Sequence, residues 1–247
     1  GRAGTPLPAA DGTECRPYRM VNRYNNPISH LPMPRILIVK MSSLGDLFHA
    51  LPAVHLIKQH TGATVDWVVH DIYADLARCF TDVDRVIAFP RRAFLANSRA
   101  FLADLRREEY DLVLDMQGLM KSALVTRAAR AKKRIGPSFQ REGARFFYDE
   151  VSGPRHKNRH AVEENLDMVR HLGLPVGDVV FPVRYPAQTL DLPHPRVGML
   201  PCSRRADKNW PPERFAEVGR ALREQAGASL VLLGSPADAP VCETLAR

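Results

Sequence analysis

The sequence predicts an α/β protein made of two Rossmann-like domains, the second incomplete. Three observations lead there. From Pro34 onward, short aliphatic or β-branched runs alternate with longer stretches at helical spacing, as parallel sheets covered by helices require. The short runs are continuously apolar, the pattern of strands buried on both faces. The alternation stops in a proline-rich stretch, PVGDVVFPVRYPAQTLDLPHP (175–195), and restarts at Arg196.

Taken in order, residues 1–32 carry five prolines and no periodic apolar pattern. They lack the apolar core of a secretory signal, so they are expected to be a disordered or adventitious extension, with Met33 a natural start. The strands expected next are RILIVK (35–40), VDWVV (65–69), DRVIAF (84–89) and DLVLDM (111–116). Helices are expected near 47–60, 71–80, 92–107, 119–131 and 159–172. Pro52 should break or kink the first of these, or open it as its first residue, because proline loses a backbone bond inside a helix. This gives a first domain over 33–185. The second, 186–247, holds RVGML (196–200) and SLVLL (229–233), with helices at 212–226 and 237–246.

At 247 residues and 45% hydrophobic, the chain can bury a sizeable core. No apolar run approaches the roughly 18–20 residues that cross a bilayer. Four widely spaced cysteines, Cys15, Cys79, Cys202 and Cys242, read as reduced thiols rather than metal ligands or a disulfide framework. The net charge of +8 suggests an anionic partner. The basic clusters ARAKKR (129–134) and RHKNRH (155–160) read individually as solvated faces. They lack aromatic interleaving, so phosphates on a sugar or lipid suit them better than nucleic acid.

Ligands of open parallel sheets bind beyond the carboxyl ends of the strands. KMSSLGDLFHALPA (40–53) lies there: Ser42 and Ser43 offer hydroxyls, and Gly45 allows a tight turn and close approach of a ligand. Asp46 either caps the following helix or faces the cleft as a general base, and spacing alone favours the cap. DLVLDMQGLMKSALVTR (111–127) repeats the arrangement with Asp115, Gln117, Gly118, Lys121 and Ser122. It is either an ordinary strand end or a polar wall beside Asp46. LPCSRRADKNWPPERF (200–215) brings Ser203, Arg204 and Lys208 to a helix opened by Pro211 or Pro212, a candidate diphosphate site, with Trp210 as packing. Asp238, in LLGSPADAP, could accept from ribose hydroxyls or merely cap the last helix. The histidines form no ligand set and no acidic pair is placed for a divalent ion, so metal independence is expected.

Together, KMSSLGDLFHALPA, LDMQGLMKSAL and SRRADKNWPPERF resemble, in order, the glycosyltransferases that use ADP-heptose in lipopolysaccharide core synthesis (glycosyltransferase family 9). The paired serines are similar to its heptosyltransferase I form. The resemblance implies a two-domain glycosyltransferase-B fold with an interdomain cleft and an inverting, metal-independent reaction. It needs no cofactor beyond ADP-heptose as donor, and the acceptor is Kdo-lipid A. It implies Asp46 as base, Lys208 against the leaving diphosphate, and Ser203, Arg204 and Asp238 around the donor. Ser42, Ser43, Gly45, Gln117 and Lys121 would line the acceptor side. It also implies work at the cytoplasmic face of the inner membrane, in peripheral contact with an anionic surface. The family's D-[ST]-G-x-x-H segment does not occur before Arg247. If these residues are the whole molecule, weak ADP-heptose binding and little or no turnover are expected, as in a non-catalytic binding remnant; the same family moving another sugar is a further alternative.

Overall fold

A computed structural model describes residues 33–92, 94–155, 159–187, 189–203 and 206–246. The extension expected over 1–32 lies outside the described residues. The chain divides into two compact units, Gly1–Tyr185 and Pro186–Arg247.

The first unit is organised by a six-stranded parallel sheet: β1 (Arg35–Val39), β2 (Thr64–His70), β3 (Arg85–Phe89), β4 (Tyr110–Asp115), β5 (Ala131–Pro137) and β6 (Glu150–Ser152). Their spatial order is β3-β2-β1-β4-β5-β6, so the winding reverses between β1 and β4. Ile36 pairs with both Val65 and Leu112, and Val39 lies opposite Asp115, which brings the carboxyl ends of β1 and β4 side by side.

Helices α1 (Leu44–Thr61), α2 (Ala74–Ala77) and α5 (Ala161–His171) cover one face of the sheet. Helices α3 (Phe94–Leu105) and α4 (Met120–Ala128) cover the other. Strands sandwiched in this way keep apolar residues on both sides: Ile36, Leu37, Ile38 and Val39 are all fully buried.

Three expectations need correction. Pro52 neither breaks α1 nor opens it; the helix runs through it for 18 residues. The lost backbone bond costs about 3 kcal/mol. Leu47, Leu51, Val54, Leu56 and Ile57 are buried on the same helix, and each such side chain contributes about 1.5–3 kcal/mol. Two of them therefore offset the proline. The helix expected over 71–80 is a 3-10 turn (Asp71–Tyr73) followed by the single turn of α2.

The basic stretch ARAKKR is not a purely solvated face, because it contributes most of β5. Two of its four charges are met by side chains that the fold supplies: Lys132 pairs with Asp111 at 2.8 Å and Lys133 with Glu150 at 2.6 Å. Arg134 donates to the Thr126 and Ala129 carbonyls. In RHKNRH, residues 156–158 lie outside the described residues, while Arg159 pairs with Asp167.

Burial pushes the Asp111 carboxyl up, but the Lys132 ammonium and the Arg35 N–H outweigh it and hold it below its ordinary range. Glu150 behaves alike: burial raises it, and Lys133 and His171 bring it below normal. A carboxylate depressed in the folded state adds stability above its unfolded pKa, and that stability disappears as pH falls through the folded value. Thermal melts should therefore lose stability as pH drops below about 4. The variant carrying Asp111→Asn and Glu150→Gln should melt lower near neutral pH and lose less on acidification; an unchanged acid slope would remove these pairs as its cause.

The second unit holds a two-stranded parallel sheet, β7 (Arg196–Met199) and β8 (Ser229–Leu232), with α6 (Pro212–Ala226) and α7 (Ala239–Ala246). Pro212 opens α6 at a position where its missing N–H costs nothing. A groove of about 700 Å³ lies among Leu192, Met199, Phe215, Leu230 and Leu245. Neither Ser203, Lys208 nor Asp238 lines it.

Candidate active site

The reversal between β1 and β4 is where an open parallel sheet forms a ligand crevice. Two loops meet there. Gln117 Oε1 accepts from the backbone N–H of Met41 at 3.1 Å and of Ser42 at 3.2 Å, tying the β1 loop to the β4 loop. Gln117 is thus anchored by its carbonyl oxygen.

Ser43 is the N-cap of α1 and Asp46 its third residue. Both the N–H and the hydroxyl of Ser43 donate to Asp46 Oδ2, at 2.8 and 2.9 Å. The carboxylate also lies at the positive end of an 18-residue helix. Its other oxygen, Oδ1, is 3.9 Å from His49 Nδ1, beyond hydrogen-bond range, and the side chain is 43% exposed. Capping and an open carboxylate oxygen therefore coexist, one function to each oxygen. Gly45 lies within the first turn of α1 rather than in the tight turn expected of it. A Cβ there would meet nothing within 4 Å, so the backbone at this point is open to close approach.

Lys40 is the functional candidate that sequence reasoning missed. It directly follows β1, is 6% exposed, and its Nζ donates to the Met116 carbonyl at 2.6 Å. Burial lowers its pKa, opposed by the charges of Asp46, Asp115 and Glu164. The buried ammonium is thus within electrostatic reach of Asp46. Its one signal in the sequence was a lysine closing an otherwise apolar strand.

Asp115 belongs to the scaffold instead. It is fully buried: Oδ1 accepts from the N–H groups of Gln117 and Gly118 at 2.8 and 2.9 Å, and Oδ2 accepts from the Tyr148 hydroxyl at 2.8 Å. Gly118, at φ 71°, permits that turn; a Cβ would sit 2.8 Å from Pro137 Cγ. Ser122 is buried and bonded to the Leu119 backbone. Lys121, in the first turn of α4, is exposed, with its Nζ 5.6 Å from the centroid of the Phe89 ring.

In the second unit, Ser203 N–H donates to Asn209 Oδ1 at 2.8 Å. Lys208, itself exposed, ends the 3-10 turn Ala206–Lys208. Arg204 lies outside the described residues. Trp210 packs edge-on against Phe215 at 5.2 Å, in keeping with a packing role. Asp238 repeats the geometry of Asp46: its Oδ2 accepts from Ser235 N–H at 2.8 Å and Ser235 Oγ at 2.7 Å, and these bonds lower its pKa. S-L-G-D (43–46) and S-P-A-D (235–238) are the same capping box used twice. Among the described residues, no three His, Cys, Asp or Glu side chains converge into a metal-ligand set.

The model of glycosyltransferase family 9 (heptosyltransferase) matches residues 98–247. The chain belongs to that family. Its family 9 relatives include lipopolysaccharide heptosyltransferase 1 of Escherichia coli K12, 33% identical over 232 residues, which cover 86% of this chain and 72% of the relative. The enzyme of that name from Salmonella typhimurium LT2 is 34% identical over 202 residues, 74% of this chain and 63% of the relative. Among solved structures, E. coli heptosyltransferase WaaC with ADP-2-deoxy-2-fluoro heptose matches with a TM-score of 0.71 at 30% identity, covering 86% of this chain and 73% of that one. E. coli ADP-heptose lipopolysaccharide heptosyltransferase II has the same score at 19% identity and supports the fold alone. The chain is a family 9 transferase of glycosyltransferase-B type.

Proposed function

We propose that the chain transfers heptose from ADP-heptose to Kdo of Kdo-lipid A, with inversion, without a metal, at the cytoplasmic face of the inner membrane. The observation that carries this reading is Asp46. One of its oxygens is anchored by Ser43 and the other accepts no hydrogen bond among the described residues, at the crevice where the winding reverses between β1 and β4. The relatives' names and the ADP-sugar bound to the E. coli structure support the donor.

In this reading Asp46 Oδ1 takes the proton of the acceptor hydroxyl. The hydroxyl oxygen forms a bond to the anomeric carbon of heptose from the face opposite the diphosphate. The bond from that carbon to the phosphate oxygen breaks, and ADP leaves with the electron pair. Lys208 stabilises the charge that develops on the departing diphosphate, the work a preorganised cation does best in a transition state. Ser203 and Arg204 hold the phosphates, and Asp238, its Oδ2 already tied to Ser235, offers Oδ1 to the ribose hydroxyls. Ser42, the backbone at Gly45, the Gln117 amide and Lys121 orient the acceptor, while Ser43 fixes the base.

The test is a transfer assay on this chain with ADP-heptose and Kdo-lipid A, together with ADP titration. ADP should bind, and Lys208→Ala should weaken it about 10- to 100-fold, as the loss of a charge-assisted contact does. Transfer with inverted product confirms the enzyme. Binding without transfer leaves a binding protein, and transfer of another sugar in a donor screen reassigns the substrate.

A further inference from the structure

Two apolar side chains stand out on the surface of the first unit. Leu95 is 91% and Phe146 89% exposed, the highest values for large hydrophobic residues among the described residues. Each follows two exposed arginines in the chain: Arg91 and Arg92 lead into α3, whose second residue is Leu95, while Arg141 precedes and Arg145 belongs to the 3-10 turn Ala144–Phe147 that bears Phe146. No carboxylate of the described residues forms an ion pair with any of the four. Arg145 donates to the Tyr148 carbonyl at 2.8 Å, which orients it and leaves its charge uncompensated.

Both projections stand beside the carboxyl edge of the sheet. Arg91 and Arg92 follow β3 after Pro90. The Phe146 turn is bound to the start of α4: Arg141 N–H donates to the Gly118 carbonyl at 2.8 Å, and Met120 N–H to Glu142 Oε2 at 3.1 Å. From there the exposed side of α4 continues through Lys121, Leu124 and Arg127. Phe89 joins the two regions, stacking on Phe94 at 5.3 Å and lying 5.6 Å from Lys121 Nζ.

A protein partner would favour a contiguous apolar patch with a polar rim. Here separate apolar tips rise from a field of cations, a shape that a fluid, anionic layer can fill around. We propose that this face docks on an anionic lipid bilayer, with Leu95 and Phe146 entering the boundary between headgroups and acyl chains and Arg91, Arg92, Arg141 and Arg145 meeting lipid phosphates. The functional meaning rests on the transferase reading: a lipid-anchored acceptor would then be presented at the strand ends where Asp46 lies.

The 247-residue chain is sedimented with phosphatidylcholine vesicles, with and without phosphatidylglycerol. Binding should require the anionic lipid and weaken with salt. The double variant Leu95→Ser and Phe146→Ser should bind at least about tenfold more weakly with an unchanged melting temperature, since both side chains already face water. As a second series, Arg→Gln at each of the four arginines should cost about fivefold apiece. Equal binding to both vesicle types, no binding, or indifference to the serine pair and to the arginine series would overturn the proposal. Transfer to a deacylated acceptor, measured alongside, separates the two readings: transfer without vesicle binding removes the docking face alone, and vesicle binding without transfer removes the enzyme alone.

Discussion

Asp46→Asn is expected to lower heptosyl transfer by about 10²- to 10⁴-fold while ADP binding and the melting temperature stay near those of the parent chain. The reasoning lies in the two carboxylate oxygens. Asparagine keeps an oxygen able to accept from Ser43 N–H and Oγ, the bonds that start α1. What it loses is the ability to take up a proton. Asp46→Ala removes both and costs about 1 kcal/mol of helix capping besides, which would blur the result. Initial rates, ADP titration and thermal melts on the Asn variant therefore separate acid–base chemistry from local structure. A rate close to that of the parent chain would take Asp46 out of the mechanism.

The largest effect on stability is expected at a residue that takes no direct part in the proposed chemistry. Gly136 lies in β5 with the Tyr148 ring directly over its Cα; a Cβ there would sit 2.0 Å from Tyr148 Cδ2 and 2.5 Å from Cγ. The ring cannot move freely, because its hydroxyl donates to the buried Asp115, which also receives the N–H groups of Gln117 and Gly118. Gly136→Ala should thus cost about 3 kcal/mol or more, the upper range for overpacking, since it also displaces a buried hydrogen-bond hub. Because Gln117 in turn holds Met41 and Ser42, the damage should reach the β1 loop. Chemical denaturation measures the first effect, and backbone amide shifts at Met41 and Ser42 the second. A loss below about 1 kcal/mol would show that the ring has room to retreat.

Much of the fold was legible because its strands are buried on both sides, and burial writes itself into composition as unbroken apolar runs. RILIVK, VDWVV, DRVIAF and DLVLDM became β1 to β4 with ends shifted by one residue at most. AKKRIGP was illegible for the opposite reason: β5 carries charges that Asp111 and Glu150 receive from neighbouring strands, and no local window contains both partners. The short β6 has too few residues to show a period. Pro52 misled because local propensity counts the bond that proline loses and not the five large side chains its helix buries.

At the candidate site the division is similar. From the sequence alone came the order of β1 to β4, β7 and β8, the capping alternatives at Asp46 and Asp238, and the resemblance that led to family 9. The tertiary structure decided what each charged group faces. It separated the two oxygens of Asp46, brought the buried Lys40 within electrostatic reach of them, and enclosed Asp115 as a support rather than a second reactive acid. The physical reason is range: capping and strand burial are settled by neighbours in the chain, whereas the field at a carboxylate depends on groups that only the folded sheet brings within reach.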